Sequence, residues 1–96
     1  MRIVADKYTV DWTRQFKKDY KLAMRRGKDI AKLDDIIAKL ARGETLPAVN
    51  RDHALSSNWS NHRECHITPD WLLIYQVKDD ILVLELTRTG SHSDLF

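Results

Sequence analysis

The chain has a single cysteine, Cys65, so no internal disulfide can form and a reducing, cytoplasmic setting is expected. It holds only two prolines and three glycines, which leaves no Pro/Gly-rich linker and no low-complexity tract. Long apolar runs are also missing. The longest, WLLIY at Trp71–Tyr75, falls far short of the ~20 residues that a membrane helix needs. The opening MRIVADKYTV contains no apolar signal segment, so export is not expected. Without repeats or a divide along its 96 residues, the chain is expected to form one domain over 1–96.

Charge of one sign is scarce overall, the net being +2, but it is unevenly spread. Between Thr13 and Lys28 seven basic residues face one acidic residue, Asp19, a local net of +6. From His62 to Phe96 three basic residues face six acidic ones, a local net of −3. Arg14, Lys18, Lys21 and Arg25 recur at helical spacing and would form one basic stripe. Such a stripe fits an RNA or DNA backbone, and equally a solvated helix face.

The apolar periods outline an α+β fold. RIVADKYT reads as a short first strand. From about Val10, Trp12, Phe16, Tyr20, Ala23 and Met24 recur at three- and four-residue steps, the buried stripe of a helix that Gly27 stops. Asp29 can cap a second helix with Ile30, Leu33, Ile37 and Leu40 as its stripe and Gly43 at its end. The short connection predicts a helical hairpin. Residues 44–61 have no clear period and read as a long ordered loop, a length that often signals function. Three strands follow: HRECHI, then WLLIYQV and ILVLELT joined by KDD. The predicted order is β-α-α-β-β-β, with the hairpin packed on a largely antiparallel sheet. Trp12, Phe16, Trp71 and Tyr75 are expected in the core.

The stretch HRECHITPDW, His62–Trp71, concentrates ionisable groups. Strand alternation puts Arg63, Cys65 and Ile67 on one face and His62, Glu64 and His66 on the other. Three readings compete. Two histidines and a carboxylate could ligate zinc, but there is no second cysteine and no HExxH motif, and Arg63 would crowd a cation. No metal and no cofactor are therefore expected. The polar face could simply be wet, which is the reading for His62. Alternatively, histidine and carboxylate could shuttle protons near neutral pH. Partners for that chemistry stand elsewhere: His53 in RDHAL, and Arg88 and His92 in RTGSHSDLF. Histidines, a carboxylate and an arginine converging near a basic helix would make a phosphodiester site.

RDHALSSNW, RECHITPDWLLIYQ and RTGSHSDLF, with YKLAMRRGKDIAKL before them, resemble the YafQ branch of the RelE superfamily of bacterial toxins over nearly the whole chain. The resemblance implies a compact microbial-RNase-like domain. It also implies an mRNA-cleaving toxin of a type II toxin–antitoxin system that acts in the ribosomal A site and is silenced by a DinJ-like antitoxin in a hetero-oligomeric complex. By motif position, the family's site residues carry over to His53, Glu64, His66, Asp70, Arg88, His92 and Phe96. Ala54 replaces a common Pro, and Glu64 stands where a well-known relative has Asp.

RNA cleavage needs one group to take the 2′-hydroxyl proton, another to protonate the departing 5′-oxygen, and cations to stabilise the phosphorane. On that scheme His92 is the general acid and His66 or Asp70 the base. Arg88 is the phosphate clamp and Phe96 a ring for a splayed base, while His53 aids the backbone contact or a proton relay. The stripe Arg14, Lys18, Lys21 and Arg25 would meet ribosomal RNA or the antitoxin. The competing reading is a non-catalytic module of the same fold that only binds an antitoxin.

Overall fold

Helix α1, Arg14–Arg25, starts where Thr13 can cap it: its Oγ1 accepts from the Phe16 N–H (2.9 Å) and its hydroxyl donates to the Thr87 carbonyl (2.8 Å). The computed structural model describes residues 6–96. Before α1 lies strand β1, Thr9–Trp12. Half of the expected first strand, residues 2–5, lies outside the described residues. Val10 and Trp12, expected in the helix, belong instead to β1, because their backbone pairs in parallel with Leu84 and Leu86.

That shift changes the helix's inner stripe. Phe16, Asp19 and Ala23 are buried, with Tyr20 half-buried, while Met24 faces out. Trp12 is a partly exposed lid whose ring meets Phe16 edge-on at 5.0 Å, rather than a core residue. Arg14, Lys18, Lys21 and Arg25 do share an exposed face.

Gly27 and Gly43 take positive φ (74° and 80°) where the two helices end, a conformation that costs other residues more. Helix α2, Ile30–Ala41, buries Leu33, Ile37 and Leu40 as expected, and Ile36 and Ala41 as well. Asp29 occupies its N-cap position without a side-chain cap bond. The helices are tied where the Tyr20 hydroxyl donates to Asp34 (2.8 Å).

The loop after α2 is ordered by 3₁₀ turns at Ala48–Asn50 and Ser57–Trp59 and by a two-residue strand, β2, His53–Ala54. Strands β3 (Arg63–Thr68), β4 (Trp71–Lys78) and β5 (Val83–Gly90) follow, then a short helix, α3, His92–Leu95. The sheet order is β1-β5-β4-β3-β2, antiparallel except for the β1–β5 pair. The α+β architecture matches the expected one. Two short elements, β2 and α3, add to the expected order.

Strand β4 is buried on both faces. Trp71, Leu73 and Tyr75 pack with α1 and α2, whereas Leu72 and Ile74 join Leu95, Leu55 and Trp59 in a small cluster on the opposite face. The β4–β5 hairpin is two residues later than its apolar runs imply. Ile81 and Leu82 are in the turn and exposed, and pairing resumes at Val83 against Lys78. Leu82 takes a positive φ (53°) to close that turn. Because Leu84 is fully buried and Ile81 is not, Leu84→Ala should cost ~2–5 kcal/mol of unfolding free energy. Ile81→Ser should stay within ~0.5 kcal/mol. Urea denaturation of both variants checks this; comparable losses would put Ile81 in the core.

Candidate active site

Pairing of β3 with β4 decides which face carries the ionisable groups. Glu64 lies opposite Ile74 and His66 opposite Leu72, so both project from the face away from α1 and α2. Cys65 and Ile67 go into the helix-side core, where burial pushes the Cys65 thiol well up and leaves it unreactive. Arg63 also turns from the site, donating to Asp52 (3.2 Å), which accepts from the Tyr75 hydroxyl too (2.6 Å). His62 precedes β3 and its Nδ1 contacts the Ser60 carbonyl, as suits a surface residue.

Strand β2 brings in His53, paired with Glu64 across the ladder. His53 Nδ1 lies 2.6 Å from the Arg51 carbonyl and His66 Nδ1 lies 3.3 Å from the Pro69 carbonyl. A carbonyl only accepts, so each Nδ1 carries the hydrogen and each Nε2 turns to Glu64 Oε1, at 3.7 and 3.5 Å. Glu64 is 5% exposed and His66 little more, whereas His53 is half open to solvent. The three groups form a set with a dry inner end and a wet outer one.

His92 arrives from α3. Its Nδ1 lies 3.2 Å from Asp70 Oδ1, and its backbone N–H donates to the same oxygen (3.3 Å). Asp70 follows Pro69 in the β3–β4 turn, so the turn and the C-terminal tail grip each other. The His92 side chain, then its backbone N–H, hold the Asp70 carboxyl below the usual carboxylate range, with Lys28 a lesser influence. The His66 and His92 rings stand 5.8 Å apart, and Phe96 lies 6.4 Å beyond His92. Phe96 is exposed, and its ring meets Trp59 at 72°. His53, Glu64, His66, Asp70, His92 and Phe96 therefore share one face, as the motifs imply.

Arg88 departs from that pattern. Its Nε and Nη2 donate to the buried Asp19 (2.8 and 3.3 Å), which also accepts from the Thr89 N–H (3.2 Å) and Gln15 (3.0 Å). The guanidinium edge expected to clamp phosphate is thus spent on α1. Arg88 lines a cavity of about 300 Å³ between α1 and the end of β5, beside Arg26, Lys28, Ser91 and Asp94.

Among the described residues, Glu64, His66 and His92 offer ligand atoms within 4.8 Å of one another. This differs from the set weighed above: His62 is replaced by His92, and Arg63, expected to crowd a cation, is bound to Asp52 on the other face. Three such donors suit zinc or copper.

A family model described as "Bacterial toxin of type II toxin-antitoxin system, YafQ" matches residues 8–96. The chain belongs to the YafQ toxin family. The mRNA interferase toxin YafQ of Escherichia coli is 44% identical over 88 residues, covering 91% of this chain and 94% of that protein. Its fold is similar to YafQ in the E. coli DinJ-YafQ toxin-antitoxin complex (TM-score 0.86, 40% identity, 94% and 98% covered). It is likewise similar to a metal-bound toxin from Helicobacter pylori (TM-score 0.87, 38% identity, 93% and 99% covered).

For this YafQ-family chain, sequence reasoning missed Asp19, Trp59 and Asp94. Asp19 was legible as the polar member of the Phe16–Asp19–Ala23 spacing. Asp94 was legible from Ser91-x-x-Asp94, the pattern of a capping box, which forms here in both directions. Trp59 carries no local signal, because its neighbour Phe96 is distant in sequence. Since a lowered Asp70 pKa stabilises the fold above the ordinary carboxylate range and is lost as pH falls through the lowered value, removing the imidazole has a definite sign. His92→Ala should move the Asp70 midpoint upward, as read by carboxyl-carbon NMR titration. An unmoved midpoint would mean that the two side chains do not interact in solution.

Proposed function

We propose that this chain is an endoribonuclease toxin that cleaves mRNA in the ribosomal A site by acid–base catalysis without a metal cofactor. The observation that carries this reading is the convergence of His92, held by Asp70, and His66, backed by buried Glu64, on one open sheet face. In this reading Asp70 keeps its negative charge and orients His92 through Nδ1, which leaves Nε2 to protonate the departing 5′-oxygen. The Oδ1 of Asp70 is taken up by two His92 donors, so in this reading Asp70 is not the group that takes the 2′-hydroxyl proton. That role falls to the His66–Glu64 pair, with His53 relaying protons to solvent. Attack by the 2′-oxygen then forms a phosphorane whose charge meets His92 in its protonated form. Arg88, oriented by Asp19, meets phosphate through Nη1. Phe96, backed by Trp59, offers a ring for a splayed base.

The exposed stripe Arg14, Lys18, Lys21 and Arg25 supplies the sequence-independent attraction to ribosomal RNA. A cognate antitoxin of the DinJ kind covers the site and keeps the toxin silent in the cytoplasm, as a hetero-oligomer. In a translation reaction with end-labelled message, the wild-type chain should cut within codons. His92→Gln hydrogen-bonds but delivers no proton at neutral pH, so it should lose ~10²–10⁴-fold in rate. Intact message with wild type would favour a non-catalytic antitoxin-binding module. Near-wild-type cutting by His92→Gln would remove His92 as the acid.

The Glu64–His66–His92 trio favours a second state of the same site. A divalent ion such as Zn²⁺, held by the atoms that would otherwise move protons, would arrest catalysis, and its affinity should rise with pH because each ligand must be deprotonated. Zinc should therefore inhibit cleavage reversibly, with a chelator restoring it and Glu64→Gln weakening binding by calorimetry. Full activity in saturating zinc would refute the inhibited state.

A further inference from the structure

Arg26 is one of the seven basic residues in the Thr13–Lys28 run, yet it follows Arg25 by one position and so turns ~100° away from the exposed stripe. It caps the C-terminal end of α1, and its Nη1 donates to Asp94 Oδ2 at 2.8 Å. The same oxygen accepts from the Ser91 N–H (3.0 Å), while the Asp94 N–H donates to Ser91 Oγ (3.2 Å). Gly90 makes this approach possible. A Cβ at Gly90 would lie 2.9 Å from Asp94 Cβ and 3.1 Å from Oδ2, so its role is close approach, not the backbone turn its position before Ser91 suggests. Helix α3 has one turn, too short to hold its own orientation. It is set by Leu95 in the apolar cluster, by the His92 N–H on Asp70, and by Asp94 on Arg26.

We propose that Arg26 and Asp94 are a positioning pair: anchored on α1, they fix the tilt of α3 and hence the aim of the His92 imidazole. This rests on the reading of His92 as the acid. The ion pair is about half exposed on the arginine side, so it adds little to global stability; its effect is on direction. The Asp94 carboxylate is held from two sides, by the Ser91 N–H and by the Arg26 guanidinium, so its direction is fixed. An acid displaced by ~1 Å can lose ~10²-fold in rate without any loss of fold.

The test uses Arg26→Gln, Arg26→Lys and Asp94→Asn, with Arg42→Gln, which breaks a surface pair with Glu44 elsewhere, as the control. One readout is single-turnover cleavage on ribosomes, separated into the saturated rate and the half-saturating ribosome concentration. The other is the Asp70 midpoint by NMR, which needs no activity. Arg26→Gln and Asp94→Asn should lower the saturated rate ~10–10²-fold, leave half-saturation and melting temperature near wild type, and raise the Asp70 midpoint as His92 loosens. Arg26→Lys should recover most of the rate, and Arg42→Gln should match wild type in all readouts. A change in half-saturation alone would assign Arg26 to RNA binding and overturn the proposal, as would an unchanged rate whatever the midpoint does. If the wild-type chain cuts nothing, the functional reading fails instead, and an unmoved Asp70 midpoint would then overturn the positioning pair on its own.

Discussion

Burial of β4 on both faces is the constraint from which the rest of the structure follows. Trp71, Leu73 and Tyr75 need α1 and α2 above them, while Leu72 and Ile74 need cover below. The helices supply the first in full. Below the sheet there is no helical layer among the described residues, only Leu55, Trp59 and Leu95 from a loop and a tail. That second face is therefore thinly covered, and the residues of β3 that share it remain within reach of a large ligand.

The electrostatics of the floor follow from where it sits. Glu64 is opposite Ile74, so its carboxylate is in a dry environment, with the imidazoles of His53 and His66 beside it. Asp70, on the turn, is wet and gripped by His92 donors, which hold its carboxyl below the usual carboxylate range. Two carboxylates a few residues apart thus sit in opposite surroundings, one buried beside two imidazoles and the other wet beside a third. Burial separates the two more than residue type does.

The C-terminal tail is the least self-sufficient element, and it carries the most exposed histidine of the set. Its position depends on contacts with three separate parts of the chain: the β3–β4 turn, the apolar cluster and the end of α1. Asp19 plays a parallel part for Arg88, fixing a guanidinium from the same helix. Helix α1 therefore has two faces with different work: an exposed basic stripe, and an inner edge whose polar groups hold the end of β5 and the tail.

The sequence by itself determined the α+β class, both helix ends at Gly27 and Gly43, the face shared by Glu64 and His66, and the motif residues that meet there. These are local matters, governed by periods of 3.6 and 2 and by the backbone needs of glycine. Other features depended on the tertiary structure. Trp12 and Val10 became strand because β5 was there to pair with them, and Ile81 and Leu82 left the strand because the register set by Tyr75 and Leu86 put the turn at them. Arg88 turned to Asp19, and Arg26 to Asp94, across 69 and 68 residues of chain. A one-dimensional pattern records which side chains share a face, but not which distant charge a long, flexible guanidinium will find. That choice belongs to the packed structure, because the partner's position exists only once the sheet and helices are in contact.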